Sequence, residues 1–221
     1  MSGPPAAILP LGEAGWSVVL GSEVDAATQA RVLALRAAIA AAELPGVREL
    51  VPAYTTVTVW FDPSRSDPEA LRTRLGALAL ATEAPGTGEP AAPARDPLVI
   101  PTVYDGPDLD EVAARTGLTR DEVIRRHCGP DYLVYLLGFA PGFAYLGPLD
   151  PALVLPRRPA PRLRVPPGSV AIAGAQTAVY PLATPGGWHL LGHTALRLFD
   201  PERRPPALLA PGDRVRFEPL P

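Results

Sequence analysis

The stretch SVAIAGAQTAVYPLATPGGWHLLGHTALRLF, residues 169–199, decides the fold. It is a chain of short apolar segments rich in Val, Ile, Leu and aromatic residues, each cut off within a few positions by Gly or Pro. A helix needs about ten uninterrupted residues to bury a face, so segments this short read as strands joined by tight turns. The same texture runs outward in both directions, to YLVYLLGF (132–139) upstream and RVRFEPL (214–220) downstream. With SVAIAG, TAVYPL, WHLLG and ALRLF between them, these runs predict a β-barrel or compact sandwich after Asp131.

Ahead of the barrel, residues 98–104 read as a strand and residues 108–127 as two helices. Asp108 with Glu111, and Thr119 with Glu122, have capping-box spacing, and Gly117 is placed to end the first helix. The first third has a different rhythm. Residues 16–20 form a strand candidate. Ser22 and Asp25 open a helix with Val32, Leu35 and Ile39 on one face, and Pro45-Gly46 end it. Residues 47–61 are β-rich and interrupted by Pro52, with Thr55, Val57, Val59 and Phe61 on one face. Asp67-Pro68 then starts a helix carrying Leu71, Leu75 and Leu78. The order β-α-β-β-α predicts a ferredoxin-like layer. Residues 82–97, TEAPGTGEPAAPARDP, have no hydrophobic period and mark the boundary. The expected organisation is α+β, with an N-terminal domain over 1–95 and a barrel domain over 96–221.

Composition removes several function classes. A net charge of −3 on 221 residues argues against nucleic acid or an anionic membrane as partner. No apolar run approaches the ~20 residues of a membrane span, and residues 1–11 lack the basic start of a signal peptide, so a cytoplasmic protein is expected. Cys128 is the single cysteine, which excludes intrachain disulfides. All 20 basic residues are arginine, so there is no P-loop lysine, Schiff-base lysine or lysine-linked prosthetic group.

The helical pair at 108–127 has a helix-turn-helix look. It holds five acids against four arginines, a poor balance for a phosphate backbone, and a structural role is expected. His189 and His193 sit four apart without a third ligand, so no metal site is expected; His189 reads as exposed and His193 as a polar site residue. Ser169 lacks a nucleophile elbow and reads as a turn serine. From 138 to 199 one acid, Asp150, faces five arginines, four of them (Arg157, Arg158, Arg162, Arg164) within eight residues among prolines. Guanidinium forks suit carboxylates and phosphates, so this stretch points to an anion site or a partner surface.

GFAPGFAYLG (138–147), the stretch 155–194 from LPRRPAPRL through PGGWHLLGHT, and PGDRVRF (211–217) resemble the family of 5-oxoprolinase B subunits. That family includes the sporulation-kinase inhibitor KipI and the first subunit of allophanate hydrolase-type carboxyltransferases. VPAYTTVTVWFDP and DEVIRRH extend the resemblance over nearly the whole chain. It implies a ferredoxin-like N-terminal domain followed by a cyclophilin-like β-barrel. It also implies a heteromeric enzyme, inactive as this chain alone, that opens 5-oxo-L-proline to L-glutamate at the expense of ATP, held by this chain or by a partner. The implied partners are a paralogous, KipA-like 5-oxoprolinase subunit and a LamB/YcsF-type subunit. Two other readings stay open: an inhibitor of a sensor histidine kinase, and the carboxyltransferase half of a urea-degrading system.

Carried over by motif, the resemblance implies a groove formed by Phe139, Pro141, Gly142, Phe143, Tyr145, Arg157, Gly174, Tyr180, Gly186, Gly187 and Trp188, with Arg158, Gln176, Thr177 and His193 acting on the substrate. Gln176 and Thr177 would orient the amide, Arg157 or Arg158 would hold an anionic intermediate, and backbone amides near Gly142 or Gly186-Gly187 would meet a developing oxyanion. Three positions depart from the family pattern: Ala144 for proline, Ala175 for glycine and His193 for arginine. The last replaces a permanent cation with a titratable ring.

Overall fold

The computed structural model describes residues 6–82 and 96–221. The chain divides into two compact units, Met1–Ala94 and Arg95–Pro221. The proline- and glycine-rich stretch read as a boundary lies, but for its ends, outside the described residues.

In the first unit the elements are β1 (Ala7–Pro10), β2 (Gly15–Val19), α1 (Ala26–Ala41), β3 (Val47–Pro52), β4 (Thr56–Phe61) and α2 (Pro68–Thr82). All pairings are antiparallel, in the order β1-β2-β4-β3. Alternation puts Val57, Val59 and Phe61 of β4 inside, against Val32, Leu35 and Ile39 of α1 and Leu71 and Leu75 of α2. Each such side chain, fully buried, is worth about 1.5–3 kcal/mol. The helix starts follow local chemistry. Asp25 Oδ1 accepts the Thr28 N–H at 2.7 Å, and Asp67 Oδ1 accepts those of Glu69 and Ala70 at 2.9 and 3.1 Å. Strand β1 went unread in the sequence because it is an edge strand of four residues, none of them fully buried.

The second unit comprises β5 (Leu98–Thr102), α3 (Leu109–Thr116), α4 (Arg120–Cys128), β6 (Tyr132–Leu137), β7 (Ala144–Gly147), β8 (Arg162–Val165), β9 (Ser169–Ala173), β10 (Gln176–Val179), β11 (Thr184–Gly186), β12 (His189–His193) and β13 (Arg214–Pro219). Seven strands form one curved sheet in the order β12-β9-β10-β7-β6-β13-β5. Its two edges meet through one bridge, in which Val103 and His193 exchange N–H···O bonds of 2.9 and 2.8 Å. The result is a nearly closed barrel. Gly192 makes the closure possible, since a Cβ there would strike the Val103 carbonyl. Ile100, Val134, Leu146, Val170, Ile172, Val179, Leu191, Val215 and Phe217 fill the interior, and Leu109, Val112 and Val123 of the helical pair pack on them. β8 and β11 form a separate two-stranded ribbon.

Two local expectations differ. ALRLF (195–199) forms no strand, only a single bridge from Phe199 to Ala207. The facing segment carries Pro201, Pro205 and Pro206, which have no N–H to donate to a ladder. The Thr119–Glu122 capping box forms, whereas Asp108 makes no capping bond with its side chain, which is engaged elsewhere.

Candidate functional site

Strands β9, β10 and β12 expose a second apolar face on the outside of the barrel. Ala171, Ala173, Ala178, Tyr180 and Leu190 point there, joined by Trp188, Phe143 and Val165. The alanines leave room for rings. Phe143 is the hub, with ring centroids of Tyr145, Tyr180, Phe139 and Trp188 at 5.0, 5.2, 5.4 and 5.7 Å, all edge to face.

A groove of about 250 Å³ opens over this cluster. Of the predicted residues, Phe139, Phe143, Tyr145, Arg157, Tyr180, Gly186, Gly187 and Trp188 line it, together with Pro161 and Pro185. Phe139 stands at the rim, 63% exposed, with φ +71, a conformation that a bulky residue adopts only under constraint. The constraint is the turn between β6 and β7: Gly138 N–H donates to the Phe143 carbonyl at 3.1 Å and Phe143 N–H to that of Ala140 at 3.0 Å. Gly142, at φ +77, lets this turn lie against Phe199. Gly186 lies against the Tyr180 hydroxyl, where a Cβ would collide.

Arg157 is the only charged residue lining the groove and makes no hydrogen bond or ion pair among the described residues. Its loop is tied on both sides. His189 Nε2–H donates to the Pro156 carbonyl at 3.0 Å, and Arg158 N–H to that of Gly187 at 2.8 Å. His189 is therefore wholly buried, not exposed as expected. The bulge between Leu190 and Gly192 resets the alternation of β12 and leaves His193 exposed. Burial raises the Tyr145 and Tyr180 hydroxyls above their ordinary range, although the charge of Arg157 pulls both down. Both are neutral donors at pH 7. The lining includes no carboxylate and no histidine.

The remaining predicted residues lie elsewhere. Arg158 Nη1 donates to Asp108 Oδ1 at 2.8 Å and to Glu111 Oε2 at 3.0 Å. His193 Nδ1 pairs with Asp105 at 2.8 Å. Gly174, at φ +55, turns the two-residue hairpin between β9 and β10, and Pro141 belongs to the β6–β7 turn. Gln176 opens β10, half-buried and outside the lining. Its neighbour Thr177 points the opposite way, into the barrel.

There the sequence reading missed a residue. His127 of α4 is completely buried, and burial pushes its pKa down to about 3. The hydrogen bonds fix its tautomer. Thr177 Oγ1 donates to the Ala171 carbonyl at 3.1 Å, so it accepts from His127 Nε2–H at 2.8 Å. His127 Nδ1 then accepts the Tyr104 hydroxyl at 2.6 Å, and the Tyr104 oxygen accepts the Cys128 thiol at 3.1 Å. The available signal was Val123 with His127, four apart on the buried stripe of α4. Ser169 is a turn serine, its hydroxyl on the Pro166 carbonyl at 2.9 Å. A hollow of about 380 Å³ near the end of α4 is edged by Cys128, whose thiol burial holds protonated.

Among the described residues no helix is long and apolar enough to cross a membrane, and no cluster of His, Cys, Asp and Glu would hold a metal ion. The carboxyltransferase domain, subdomain C and D, matches residues 6–209. The chain is 45% identical to the B subunit of 5-oxoprolinase from Escherichia coli O157:H7, over 95% of its own length and 94% of that protein. It is 39% identical to the B subunit of 5-oxoprolinase from Bacillus subtilis strain 168, over 94% and 90% of the two chains. Among solved structures, TTHA0988 superposes with a TM-score of 0.82 at 44% identity; the match covers 94% of this chain but only 40% of that longer one. On the fold, the groove motifs and these similarities together, the chain belongs to the family of 5-oxoprolinase B subunits, within the carboxyltransferase-domain proteins.

Proposed function

We propose that this chain is the lactam-binding subunit of a heteromeric 5-oxoprolinase, which opens 5-oxo-L-proline to L-glutamate with ATP. The observation that carries the reading is the groove: aromatic walls, two neutral tyrosine hydroxyls and one guanidinium, Arg157, with no partner among the described residues. A five-membered lactam with a single carboxylate matches that inventory. Arg157 holds the carboxylate, the rings of Phe143, Tyr180 and Trp188 take the ring faces and exclude water, and a tyrosine hydroxyl donates to the amide oxygen. Opening the ring breaks the C–N bond as a water oxygen bonds to the carbonyl carbon, and the departing nitrogen takes a proton.

Two requirements fall on partners. The groove lining offers no carboxylate or imidazole to move a proton, so the general base comes from another subunit. The groove would offer a triphosphate a single cation, which argues for ATP being held elsewhere. We assign ATP to a partner, either the paralogous KipA-like subunit or the LamB/YcsF-type one. In this reading Thr177 does not touch substrate but holds β10 from the core, and His193, paired with Asp105, is not part of the site.

The test is glutamate formation from 5-oxoproline and ATP by this chain alone, by the two partners alone, and by the mixture. Only the mixture should turn over. In that complex Arg157→Gln should raise KM for 5-oxoproline about 10- to 100-fold, the worth of one charge-assisted pair. Turnover by the chain alone, an assembled complex without activity, or an unchanged KM in the variant overturns the reading.

A further inference from the structure

One carboxylate outside the groove organises its cationic side. Asp108, at the start of α3, has a side chain only 3% exposed. Its Oδ1 accepts from Arg158 Nη1 at 2.8 Å and from Arg162 Nη2 at 2.6 Å, and its Oδ2 accepts the Leu190 N–H of β12 at 2.7 Å. Four parts of the fold therefore meet at one residue: the start of α3, the strand β12, the loop that carries Arg157, and Arg162 at the head of the ribbon strand β8. Burial alone would raise this carboxyl, but the Arg162 hydrogen bond, the Leu190 amide and the charges of Arg162 and Arg158 outweigh it and hold it below its ordinary value. Asp108 stays ionised. It forgoes the capping bond that its spacing to Glu111 suggests.

The consequence lies in the charges. Arg157, Arg158, Arg162 and Arg164 crowd eight residues and repel one another. Asp108 draws two of these guanidiniums away from the groove, and Glu111 helps with one. Arg157 is left to face the ligand, on a loop whose next residue is clamped both by its side chain to Asp108 and by its N–H to Gly187.

We propose that Asp108 is a positioning residue of the groove, which fixes Arg158 and Arg162 so that Arg157 alone meets the substrate carboxylate, in one place. This rests on the groove being the lactam site. Without Asp108, Arg158 and Arg162 lose their counter-charge, the loop opens, and a second cation competes for the carboxylate in a misplaced pose.

The assembled three-subunit complex, with 5-oxoproline as the varied substrate, supplies the test. Asp108→Asn keeps the shape and removes the charge. It should raise KM about tenfold with kcat within about threefold, because contacts made equally in ground and transition states move KM alone. Asp108→Glu should recover part of that loss. Arg162→Gln, which leaves Asp108 paired with Arg158, should raise KM about threefold and guards against an Asp108 variant that does not fold. A purely structural Asp108 predicts the opposite split, with fewer active molecules, a lower apparent kcat and an unchanged KM in both Asp108→Asn and Arg162→Gln; that result overturns the inference. The parent reading fails separately: if Arg157→Gln leaves KM unchanged, the groove is not the carboxylate site. If Arg157→Gln raises KM and the Asp108 and Arg162 variants do not, this inference alone is wrong.

Discussion

Two aromatic clusters pack on the barrel sheet, one inside and one outside, and they differ in what they leave unfinished. Inside the barrel, His127 packs between Tyr104, Tyr132 and Phe217 at centroid distances of 5.7, 5.6 and 4.5 Å. Each of its ring nitrogens has one partner, and nothing in the cluster is exposed beyond 8%. Outside, Phe143 gathers a similar set of rings, but one of them, Phe139, is mostly exposed and strained, and the cation beside them has no partner among the described residues. The composition is nearly the same and the purposes are opposite. A closed cluster with satisfied polar atoms serves the fold, whereas an open one, whose guanidinium has no partner among the described residues, suits the ligand-binding role proposed for the groove.

The largest effect that sharpens this contrast is on the inside. His127→Ala would leave a cavity, deprive the Tyr104 hydroxyl proton of its acceptor and take from Thr177 Oγ1 the donor it accepts. A loss of about 3–5 kcal/mol is expected in urea unfolding at about pH 7.5. Arg157→Gln in the groove should change stability by less than about 0.5 kcal/mol. Comparable losses in the two variants would dissolve the distinction.

The next effect is one of pH. The folded pKa of His127, about 3, lies below its ordinary 6.5, so the unfolded chain takes up the proton first. The neutral ring's contribution is complete above about pH 6.5 and shrinks as pH falls toward 3, by about 1.4 kcal/mol per unit. The stability gap between wild type and His127→Ala should therefore narrow at that rate between about pH 6.5 and 5. A constant gap would mean that the ring is accessible to protons in the folded state.

Much of this was legible in advance, and the failures have physical causes. Gly and Pro punctuation located most of the barrel strands, since a strand of four to six residues needs a turn at each end. Eight groove-lining residues came from motifs whose glycines and aromatics sit at the turns and on the outward strand faces. Thr177 was misplaced against a rule of strand geometry: adjacent residues face opposite ways, so Gln176 and Thr177 cannot both reach one groove. His189 was misjudged because its partner, the Pro156 carbonyl, lies 33 residues away in sequence, and the bulge that follows it, invisible in local composition, turns His193 outward. Arg158 and Arg162 looked available because Asp108, their shared partner, is 50 and 54 residues away in sequence. Long-range pairing of charges is what spacing rules do not carry.

The smallest expected effect tests the comparison most directly. Phe139 holds a left-handed backbone that costs a bulky residue about 1–2 kcal/mol. Its ring, largely in solvent, recovers about 0.5–1.5 kcal/mol through the edge contact with Phe143. Phe139→Gly relieves the strain, loses the contact and adds freedom to the unfolded chain, worth another ~0.5–1 kcal/mol. These terms nearly cancel, so unfolding should shift by no more than about 1 kcal/mol in either direction. Binding should not be neutral, because the rim loses its one projecting ring, and KM for 5-oxoproline in the assembled complex should rise severalfold. A destabilisation of ~2 kcal/mol or more with KM unchanged would make Phe139 a poorly buried core residue. The outer cluster would then be a second, less finished copy of the inner one, and the strain at Phe139 would have no ligand to explain it.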